Sequence, residues 1–256
     1  MKYLIGNWKM SLSIAESILL AKQYKQAFSS SSDLFVGFAP SASALYPASQ
    51  ALEADSKDVK SIKLGAQNLH WEPRGAFTGE ISALQLLECS GSFSLAGHSD
   101  VRHQFGESDS LIAKRVAGIL NNNLLPVFCF GETFSEKQSG IGFDSIKRQL
   151  TALTEVISKD QASKILLAYE PVWAISGGNA AHQAATAQDV AAAHDFVATT
   201  YKQLFGVDSL GILYGGSANP SNCKELSMVP KVDGFLVGGA SLKVDTFMPL
   251  YNALLS

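Results

Sequence analysis

Glu170 stands where a predicted buried strand ends and a glycine-bearing loop begins. The apolar run at 164–169 precedes it, and Pro171 follows without an amide hydrogen, so the strand cannot simply continue. Residues Ser176–Gly178 then form a loop tip whose amide groups can approach an anion closely. The pattern fits a base on a rigid strand end beside a movable lid, and it fits equally well a solvated glutamate before a glycine turn.

Three further polar residues follow predicted strands and are candidates for the same site as Glu170. His98 precedes a predicted helix start at Ser99, where the positive potential disfavours an imidazolium and suits a neutral hydrogen-bond donor. A structural histidine bonded to backbone fits this position as well. Lys9 lies two residues after Asn7, so in an extended chain both side chains would point into one pocket. For this short pattern taken alone, a surface turn is the more common explanation.

Paired glycines after the last two predicted strands indicate a phosphate site. Gly215 and Gly216 form one pair, and Gly238 and Gly239 form the other. Barrels of alternating strands and helices often bind phosphate with these two loops and the amino terminus of a short extra helix, predicted here at 240–242. Tight turns would explain either pair alone, but both pairs in this order favour phosphate binding.

The order of the predicted elements indicates an α/β fold in which strands and helices alternate. Apolar runs of strand length occur at Tyr3–Asn7, Leu34–Ala39, Ile62–Ala66, Phe93–Ala96, Leu125–Phe130, Ile165–Tyr169, Gly211–Tyr214 and Gly234–Val237. Amphipathic segments with helical spacing occur at Ser13–Phe28, Asp109–Leu120, Phe143–Ile157 and Ala187–Phe205. Helix caps are predicted at Ser13, with Glu16 three residues on, and at Asp109.

Two architectures share this alternation, a closed (β/α)8 barrel and an open doubly wound sheet. Polar or glycine residues follow nearly every predicted strand. A barrel builds its site from the ends of many strands, whereas an open sheet concentrates its site at one switch point. We therefore predict one (β/α)8 barrel domain over residues 1–256.

Composition and charge argue against several classes of protein. Apolar residues make up 46% and charged residues 17% of the chain, as in globular proteins with a large core. A net charge of -3 gives no basic surface for nucleic acid. The first residues are too polar for a signal peptide, and no run reaches the roughly 20 apolar residues of a membrane span. Three widely spaced cysteines without a CxxC pattern indicate reduced thiols in a cytoplasmic protein and give little support for zinc.

Nine segments together resemble the triosephosphate isomerase family, and they occur in order from one end of the chain to the other. They read GNWKM at 6–10, GAQN at 65–68, GAFTGEIS at 75–82, GHSD at 97–100, FGES at 105–108, CFGE at 129–132, AYEPVWAI at 168–175, YGGS at 214–217 and DGFLVGGASLK at 233–243. Single segments such as YGGS are weak indicators, but AYEPVWAI with GNWK, GHS and VGGASL is very specific. The resemblance implies a TIM barrel and a glycolytic and gluconeogenic isomerase that interconverts dihydroxyacetone phosphate and D-glyceraldehyde 3-phosphate without cofactor or metal.

The same resemblance implies a role for each matching residue. Glu170 matches the base that moves a proton between two substrate carbons through an enediolate, and His98 matches the neutral group that polarises the carbonyl. Lys9 matches the cation that stabilises the anionic substrate and enediolate, and Asn7 matches an amide that orients the substrate. The implied phosphate-binding residues are Ser176, Ser217, Gly238 and Gly239, and the implied supporting residues near the catalytic groups are Asp100, Glu107 and Cys129.

A homodimer is implied as well, with triose phosphate as the small-molecule partner and no nucleic acid or membrane. The segment Gly75–Ser82 matches a loop that reaches into the neighbouring subunit. Thr78 in this loop is placed near the partner's Asn7 and the partner's His98.

The chain departs from the family pattern at three places. Asp100 stands where the family almost always carries glutamate, and its side chain is one methylene shorter in its reach towards Lys9. Val101 replaces one of two successive arginines, so we expect Glu107 to lack a usual ion-pair partner. The lid reads ISGGN at 175–179 instead of the common IGTGK, which predicts altered lid kinetics.

Two other functions remain open on the residues alone. A different phosphate-handling barrel enzyme, such as a synthase or epimerase, would share the glycine pairs but has no reason to carry GNWK and AYEPVW together. The hypothesis of a catalytically impaired barrel kept for binding or scaffolding is supported only by Asp100 and Val101.

Overall fold

Parallel strands form the centre of the molecule. The computed structural model describes residues 1–53, 62–175 and 184–255. The strands within these residues are β1 Lys2–Asn7, β2 Leu34–Ala39, β3 Lys63–Ala66, β4 Phe93–Ala96, β5 Leu125–Phe130, β6 Leu166–Tyr169, β7 Gly211–Tyr214 and β8 Gly234–Val237.

The strands pair in chain order and close into a ring. Each strand is hydrogen-bonded in parallel to the next, and β8 returns to β1, where Tyr3 lies opposite Gly234. The predicted (β/α)8 barrel is therefore confirmed, and the open doubly wound sheet is excluded. Closure leaves no unpaired strand edge in the sheet.

Both faces of the strands are buried, which explains their continuous apolar runs. Ile5, Leu95, Val127 and Leu213 belong to a cluster that is separate from the larger core between the strands and the helices. The observed strand bounds agree with the predicted ones to within one residue at each end. Burial on both sides makes these strands easy to recognise, because their composition contrasts with the polar residues that follow them.

Helices surround the barrel. They are α1 Ile14–Ala27, α2 Leu45–Glu53, α3 Ala83–Glu88, α4 Ser99–His103, α5 Asp109–Asn121, α6 Phe134–Gln138, α7 Gly142–Thr151, α8 Lys159–Ala162, α9 Ala187–Phe205, α10 Cys223–Ser227 and α11 Val244–Leu255. Short 3-10 helices lie at Ala42–Ala44, Ala152–Glu155, Val172–Ala174 and Gly239–Leu242. In the described part of the chain, no helix combines the length and apolar character needed to cross a bilayer.

One of the two predicted helix caps is confirmed and the other is wrong. The Ser13 hydroxyl accepts the Glu16 amide hydrogen at 3.3 Å, and the Glu16 carboxylate accepts the Ser13 amide hydrogen at 2.8 Å, as in a capping box. At α5 the cap is Ser108 and not Asp109, because the Ser108 hydroxyl accepts the amide hydrogen three residues on. The Asp109 carboxylate instead accepts a 2.6 Å hydrogen bond from Arg102.

The helix predicted at Phe143–Ile157 ends earlier than expected. It is α-helical only to Thr151 and continues as the 3-10 helix Ala152–Glu155. The Thr151 hydroxyl donates to the Lys147 carbonyl at 2.7 Å, and the Thr154 hydroxyl donates to the Thr151 carbonyl at 2.8 Å. Threonine hydroxyls that bond preceding carbonyls in this way compete with the backbone ladder of a helix.

The short helix predicted at 240–242 is observed as the 3-10 helix Gly239–Leu242 after β8. The Tyr24 hydroxyl on α1 donates to the Ser241 carbonyl at 2.6 Å, and the Ser241 hydroxyl donates to the Gly238 carbonyl at 2.6 Å. Helix α1 therefore fixes the position of the glycine pair that follows the last strand.

Candidate active site

A cavity of about 380 Å³ opens at the carboxyl ends of the strands. It is lined by Asn7, Lys9, Ser11, His98, Glu170, Ile175, Gly215, Gly216, Ser217, Ala218, Asn219, Leu236, Gly238, Gly239 and Ala240. Residues that follow five different strands, β1, β4, β6, β7 and β8, therefore line one cavity. Ser176 and the rest of the predicted lid tip at 176–179 lie outside the described residues.

Glu170 is buried at the end of β6, and its two carboxylate oxygens differ in their surroundings. Oε2 accepts a 2.8 Å hydrogen bond from the Ser99 amide. Oε1 lies 3.1 Å from His98 Nε2, but no donor in the described ranges is aligned to hydrogen-bond it. A Cβ at Gly215 would lie 2.8 Å from Glu170 Cγ, so a glycine is needed where this side chain passes.

His98 caps the short helix α4, as the sequence predicts. Its Nδ1 accepts a 3.1 Å hydrogen bond from the Asp100 amide. A ring nitrogen that accepts carries no proton, so this geometry assigns a neutral imidazole with its proton on Nε2. The ring therefore presents a donor at Nε2, which lies 3.1 Å from Glu170 Oε1 but is not aligned to hydrogen-bond it.

Lys9 lies in a turn and not in the extended chain that its spacing from Asn7 suggests. Its φ of 50° is in the left-handed region, and its amide donates to Asn7 Oδ1 at 3.0 Å. The Gln67 side-chain amide donates to the Lys9 carbonyl at 2.7 Å and holds this unusual backbone. Asn7 and Lys9 thus line the same cavity, as predicted, but because of this turn and not because the chain is extended.

Asp100 reaches Lys9 despite its short side chain. Lys9 Nζ lies 3.1 Å from Asp100 Oδ2, and both side chains are about one-third exposed. Asp100 Oδ2 also lies 3.4 Å from His98 Nδ1. The aspartate therefore contacts both cavity residues from one position at the start of α4.

The expectation that Glu107 lacks an ion-pair partner is wrong. Arg115 on α5 donates to Glu107 Oε1 at 2.7 Å, and the Asn68 side chain donates to the same oxygen at 3.1 Å. Val101 carries no charge, but Arg115 from a different helix pairs with Glu107. Arg115 was not predicted because two of its partners, Leu69 and Glu80, come from distant segments.

Arg102 and Cys129 do not line the cavity but lie next to residues that carry His98 and Glu170. The buried Arg102 guanidinium donates to the Cys129 carbonyl at 2.9 Å and to the Gly97 carbonyl at 2.7 Å. Arg102 thereby joins the ends of β4 and β5 just before His98. The Cys129 side chain is fully buried, and this burial, with the charge of Glu170 nearby, raises the pKa of its thiol well above the ordinary value.

Glu132 supports the segment that follows Glu170. Its Oε1 accepts hydrogen bonds from the Tyr169 hydroxyl at 3.0 Å and from Trp173 Nε1 at 2.7 Å. Burial raises the pKa of Glu132, and these hydrogen bonds partly offset the shift. Two features of the sequence indicate Glu132: it follows β5, and it ends the CFGE segment at 129–132.

Comparison with known proteins assigns this barrel and cavity to a family. A family model described as triosephosphate isomerase matches residues 2–254. The chain belongs to the triosephosphate isomerase family. A triosephosphate isomerase of Chlorobium phaeobacteroides is 38% identical over 256 residues, which cover 98% of each chain. Those of Alkaliphilus metalliredigens and Flavobacterium johnsoniae are 38% and 39% identical, over 96% and 97% of this chain and 97% of each relative.

The match to the triosephosphate isomerase family extends from the first residue of β1 almost to the end of α11. It includes every strand and every residue that lines the cavity. The resemblance stated from the nine sequence segments is therefore confirmed over nearly the whole chain.

Proposed function

We propose that this chain is an isomerase that interconverts dihydroxyacetone phosphate and D-glyceraldehyde 3-phosphate. Membership of the triosephosphate isomerase family supports this activity. The structural observation that carries the proposal is Glu170 Oε1, which no described donor occupies and which lies 3.1 Å from His98 Nε2 in the cavity wall. A carboxylate oxygen in this position is available to accept a proton from a bound substrate.

The reaction moves one proton between adjacent carbons through an enediolate, and a second proton passes from the hydroxyl oxygen on one carbon to the carbonyl oxygen on the other. Glu170 takes the proton as general base and returns it to the neighbouring carbon, while the neutral His98 ring donates to the oxygen that gains negative charge. These are the roles known for the triosephosphate isomerase family, to which the chain belongs. Donors that are in place before the charge develops stabilise the transition state most effectively.

Other residues that line the cavity bind the anionic substrate in this proposal. Lys9 supplies a positive charge, and Asn7 orients the substrate through its amide. Ser217, Gly238 and Gly239 line the same cavity and bind the phosphate, supported by the amino end of the 3-10 helix Gly239–Leu242. The phosphate-binding residues of the proposal also include Ser176, which lies outside the described residues.

We place the enzyme in the cytoplasm, as one barrel domain that takes part in glycolysis and gluconeogenesis. Three free cysteines, Cys89, Cys129 and Cys223, support a reducing compartment. The proposed chemistry uses only protein side chains and needs neither cofactor nor metal.

The proposed assembly is a homodimer formed through the segment Gly75–Ser82. Large apolar side chains are exposed after four consecutive strands: Met10 after β1, Tyr46 after β2, Phe77 after β3 and Phe105 after β4. Because consecutive strands are neighbours in the barrel, these side chains lie along one side of its carboxyl rim. Their exposed fractions of 40% to 94% are typical of a surface that another protein covers.

Thr78 is exposed at the tip of this loop, away from the cavity of its own chain. In the proposed dimer it supports the partner's Asn7 and the partner's His98. The loop also borders a cavity of about 410 Å³ lined in part by His70, Phe77 and Gln85, which is large enough to receive a side chain of the second copy.

An assay of the purified protein with D-glyceraldehyde 3-phosphate tests the proposed activity. Formation of dihydroxyacetone phosphate, followed with a coupled dehydrogenase, is the expected result. A folded protein without turnover would favour a binding or scaffold role. Turnover of a different sugar phosphate alone would favour another phosphate-handling enzyme.

The substitution Glu170→Gln tests the assignment of the base. An amide cannot accept the substrate proton, so we expect kcat to fall by about 100- to 10,000-fold while KM changes much less. Glu155→Gln, at an exposed glutamate of the 3-10 helix after α7, is the matched control and should leave both constants unchanged. Equal turnover of the two variants would refute the assignment.

A further inference from the structure

Arg115 is a buried cation on α5, and it does not line the candidate active site. Its side chain is 4% exposed. Nη1 donates to the Leu69 carbonyl at 2.8 Å and to Glu80 Oε2 at 2.8 Å. Nη2 donates to Glu80 Oε1 at 2.9 Å and to Glu107 Oε1 at 2.7 Å. One guanidinium group thus joins the segment after β3, the end of the 75–82 loop and the segment before α5.

Glu80 closes the turn that carries Thr78. The Glu80 amide donates to the Phe77 carbonyl at 3.1 Å, so Thr78 and Gly79 are the two central residues of a four-residue turn. Gly79 has a φ of 92°, which fits the third position of a type II turn and favours glycine there. The last residue of this turn is therefore the one that Arg115 holds.

The other end of the turn is held by aromatic rings. The Phe77 ring stacks on His70 with centroids 3.8 Å apart, and His70 stacks on Trp71 at 3.9 Å. The His70 amide also donates to the Ile81 carbonyl at 2.8 Å. Stacking restrains Phe77, and the two parallel hydrogen bonds between Arg115 and Glu80 fix the orientation of the Glu80 side chain, because a guanidinium and a carboxylate fit in one plane.

The charges of this network favour its persistence at neutral pH. Burial alone would lower the pKa of Arg115, but hydrogen bonds and charge interactions with Glu80 and Glu107 outweigh it and raise the pKa. The hydrogen bond from Arg115 is the largest cause that lowers the pKa of Glu80. Arg115 and Glu80 therefore both remain charged, and the pair keeps its strength.

We propose that Arg115 is a positioning residue, which holds the Thr78 turn in one conformation through Glu80 and from within its own protomer. The proposal rests on the proposed homodimer, in which Thr78 supports the catalytic groups of the partner. A loop that is ordered before association loses less conformational entropy on docking, which strengthens the dimer. Arg115 thereby affects a reaction whose substrate it does not touch.

Hydrogen exchange of the 77–80 amides in the Glu80→Gln variant tests the positioning role directly. Glutamine removes the charge and the second acceptor oxygen, so we expect these amides to exchange about 10-fold faster than in the parent protein. The matched control is Asp208→Asn, which makes the same charge change in the exposed pair of Lys202 and Asp208 and should leave loop exchange unaltered. Unaltered exchange in the Glu80→Gln protein would overturn the proposal.

Sedimentation and activity at a series of protein concentrations test the consequence for the dimer. We expect Glu80→Gln to weaken association about 10-fold. Its kcat should fall on dilution at concentrations where the parent stays dimeric, whereas KM at high protein concentration should be unchanged. A parent protein that is monomeric throughout would refute the homodimer, while the exchange measurement would still decide the role of Arg115. A dimeric parent whose Glu80→Gln variant associates and turns over identically would refute that role.

Two substitutions at Arg115 separate positioning from general stability. Arg115→Lys keeps the charge but loses the planar fork, so its loop exchange should lie between those of the parent and of Arg115→Met. Both variants are compared at the same fraction folded, measured by circular dichroism. Loop exchange that follows only the global unfolding free energy, with no separate effect at 77–80, would contradict the proposal.

Discussion

The position of the Glu170 carboxylate depends on the absence of a side chain at Gly215. A Cβ there would lie 2.8 Å from Glu170 Cγ and 3.2 Å from the Tyr169 carbonyl oxygen. The backbone cannot easily move away, because the Gly215 amide donates to that carbonyl at 2.7 Å. Any added methyl group must therefore displace the glutamate side chain.

Gly215→Ala should impair catalysis more than it impairs folding. A displacement of the base by about 1 Å is expected to lower kcat by about 100-fold, because proton transfer requires close alignment. Steady-state kinetics measure this effect, and the midpoint of urea unfolding serves as the control for the fold. A variant with unchanged kcat would show that Glu170 has more room than the structure gives it.

Local patterns predicted some cavity residues and long-range contacts determined others. Glu170 and His98 were predictable because each directly follows a buried apolar run, and strand ends meet at one rim of a barrel. The left-handed backbone of Lys9 was not predictable, since it depends on Gln67 from another loop. The partners of Arg115 come from three segments, and no spacing in the sequence brings them together.

At the scale of elements, a buried histidine connects α9 to the segment before β8. His194 is fully buried, and its Nδ1 lies 2.9 Å from the Lys231 carbonyl oxygen, which fixes a neutral ring that donates to this oxygen. Burial lowers the pKa of His194 to about 4, and the hydrogen bond to Lys231 only partly opposes the shift. Helix α9 is therefore anchored by a group that resists protonation.

This histidine should make folding stability depend on pH below 6.5. The unfolded chain binds a proton near pH 6.5 and the folded chain only near pH 4, so stability is fully present above pH 6.5 and falls as pH drops towards 4. The total loss from this group is about 3 kcal/mol. Urea unfolding of the parent and of His194→Gln at several pH values measures this loss as a difference in how steeply the free energy of unfolding depends on pH. Parallel pH profiles would contradict the low pKa.

Element types were easier to predict than their ends. Helix α9 was predicted at its observed bounds because its apolar period is regular, and the structure adds a capping box at Thr186. The early end of α7 depends on which carbonyls the hydroxyls of Thr151 and Thr154 reach. The cap of α5 was misplaced by one residue, since Ser108 and Asp109 are both good caps and the ion pair with Arg102 decides between them.

At the scale of the whole molecule, a large apolar side chain is exposed after each of β1 to β4, and others, such as Phe134 and Met228, are exposed elsewhere. The sequence predicted the barrel because eight buried strands and their polar ends fit no other architecture as well. It did not predict which apolar residues stay exposed, since exposure depends on how each loop folds back. Met10, for example, is 94% exposed.

The substitution Met10→Glu should separate the proposed dimer without unfolding the chain. A charge at this exposed position costs nothing in a monomer but is unfavourable in a covered interface. Sedimentation velocity should show monomers, and the unfolding midpoint at low protein concentration should be unchanged. Met228→Glu is the matched control, because Met228 is 77% exposed and follows α10, away from the β1 to β4 side. Monomers with both variants, or with neither, would argue against this interface.

The pairing of β8 with β1 has a consequence for how the protein is made. Tyr3 lies opposite Gly234, so the ring closes only after nearly the whole chain has left the ribosome. Lys9 and Gly238 stand on opposite sides of that seam and share the cavity wall. Because contacts so distant in sequence form slowly, a nascent chain carries an open sheet edge for much of its synthesis. The substrate cavity therefore forms only when the ring closes. We expect chaperones to bind the open sheet edge of the nascent chain before that step.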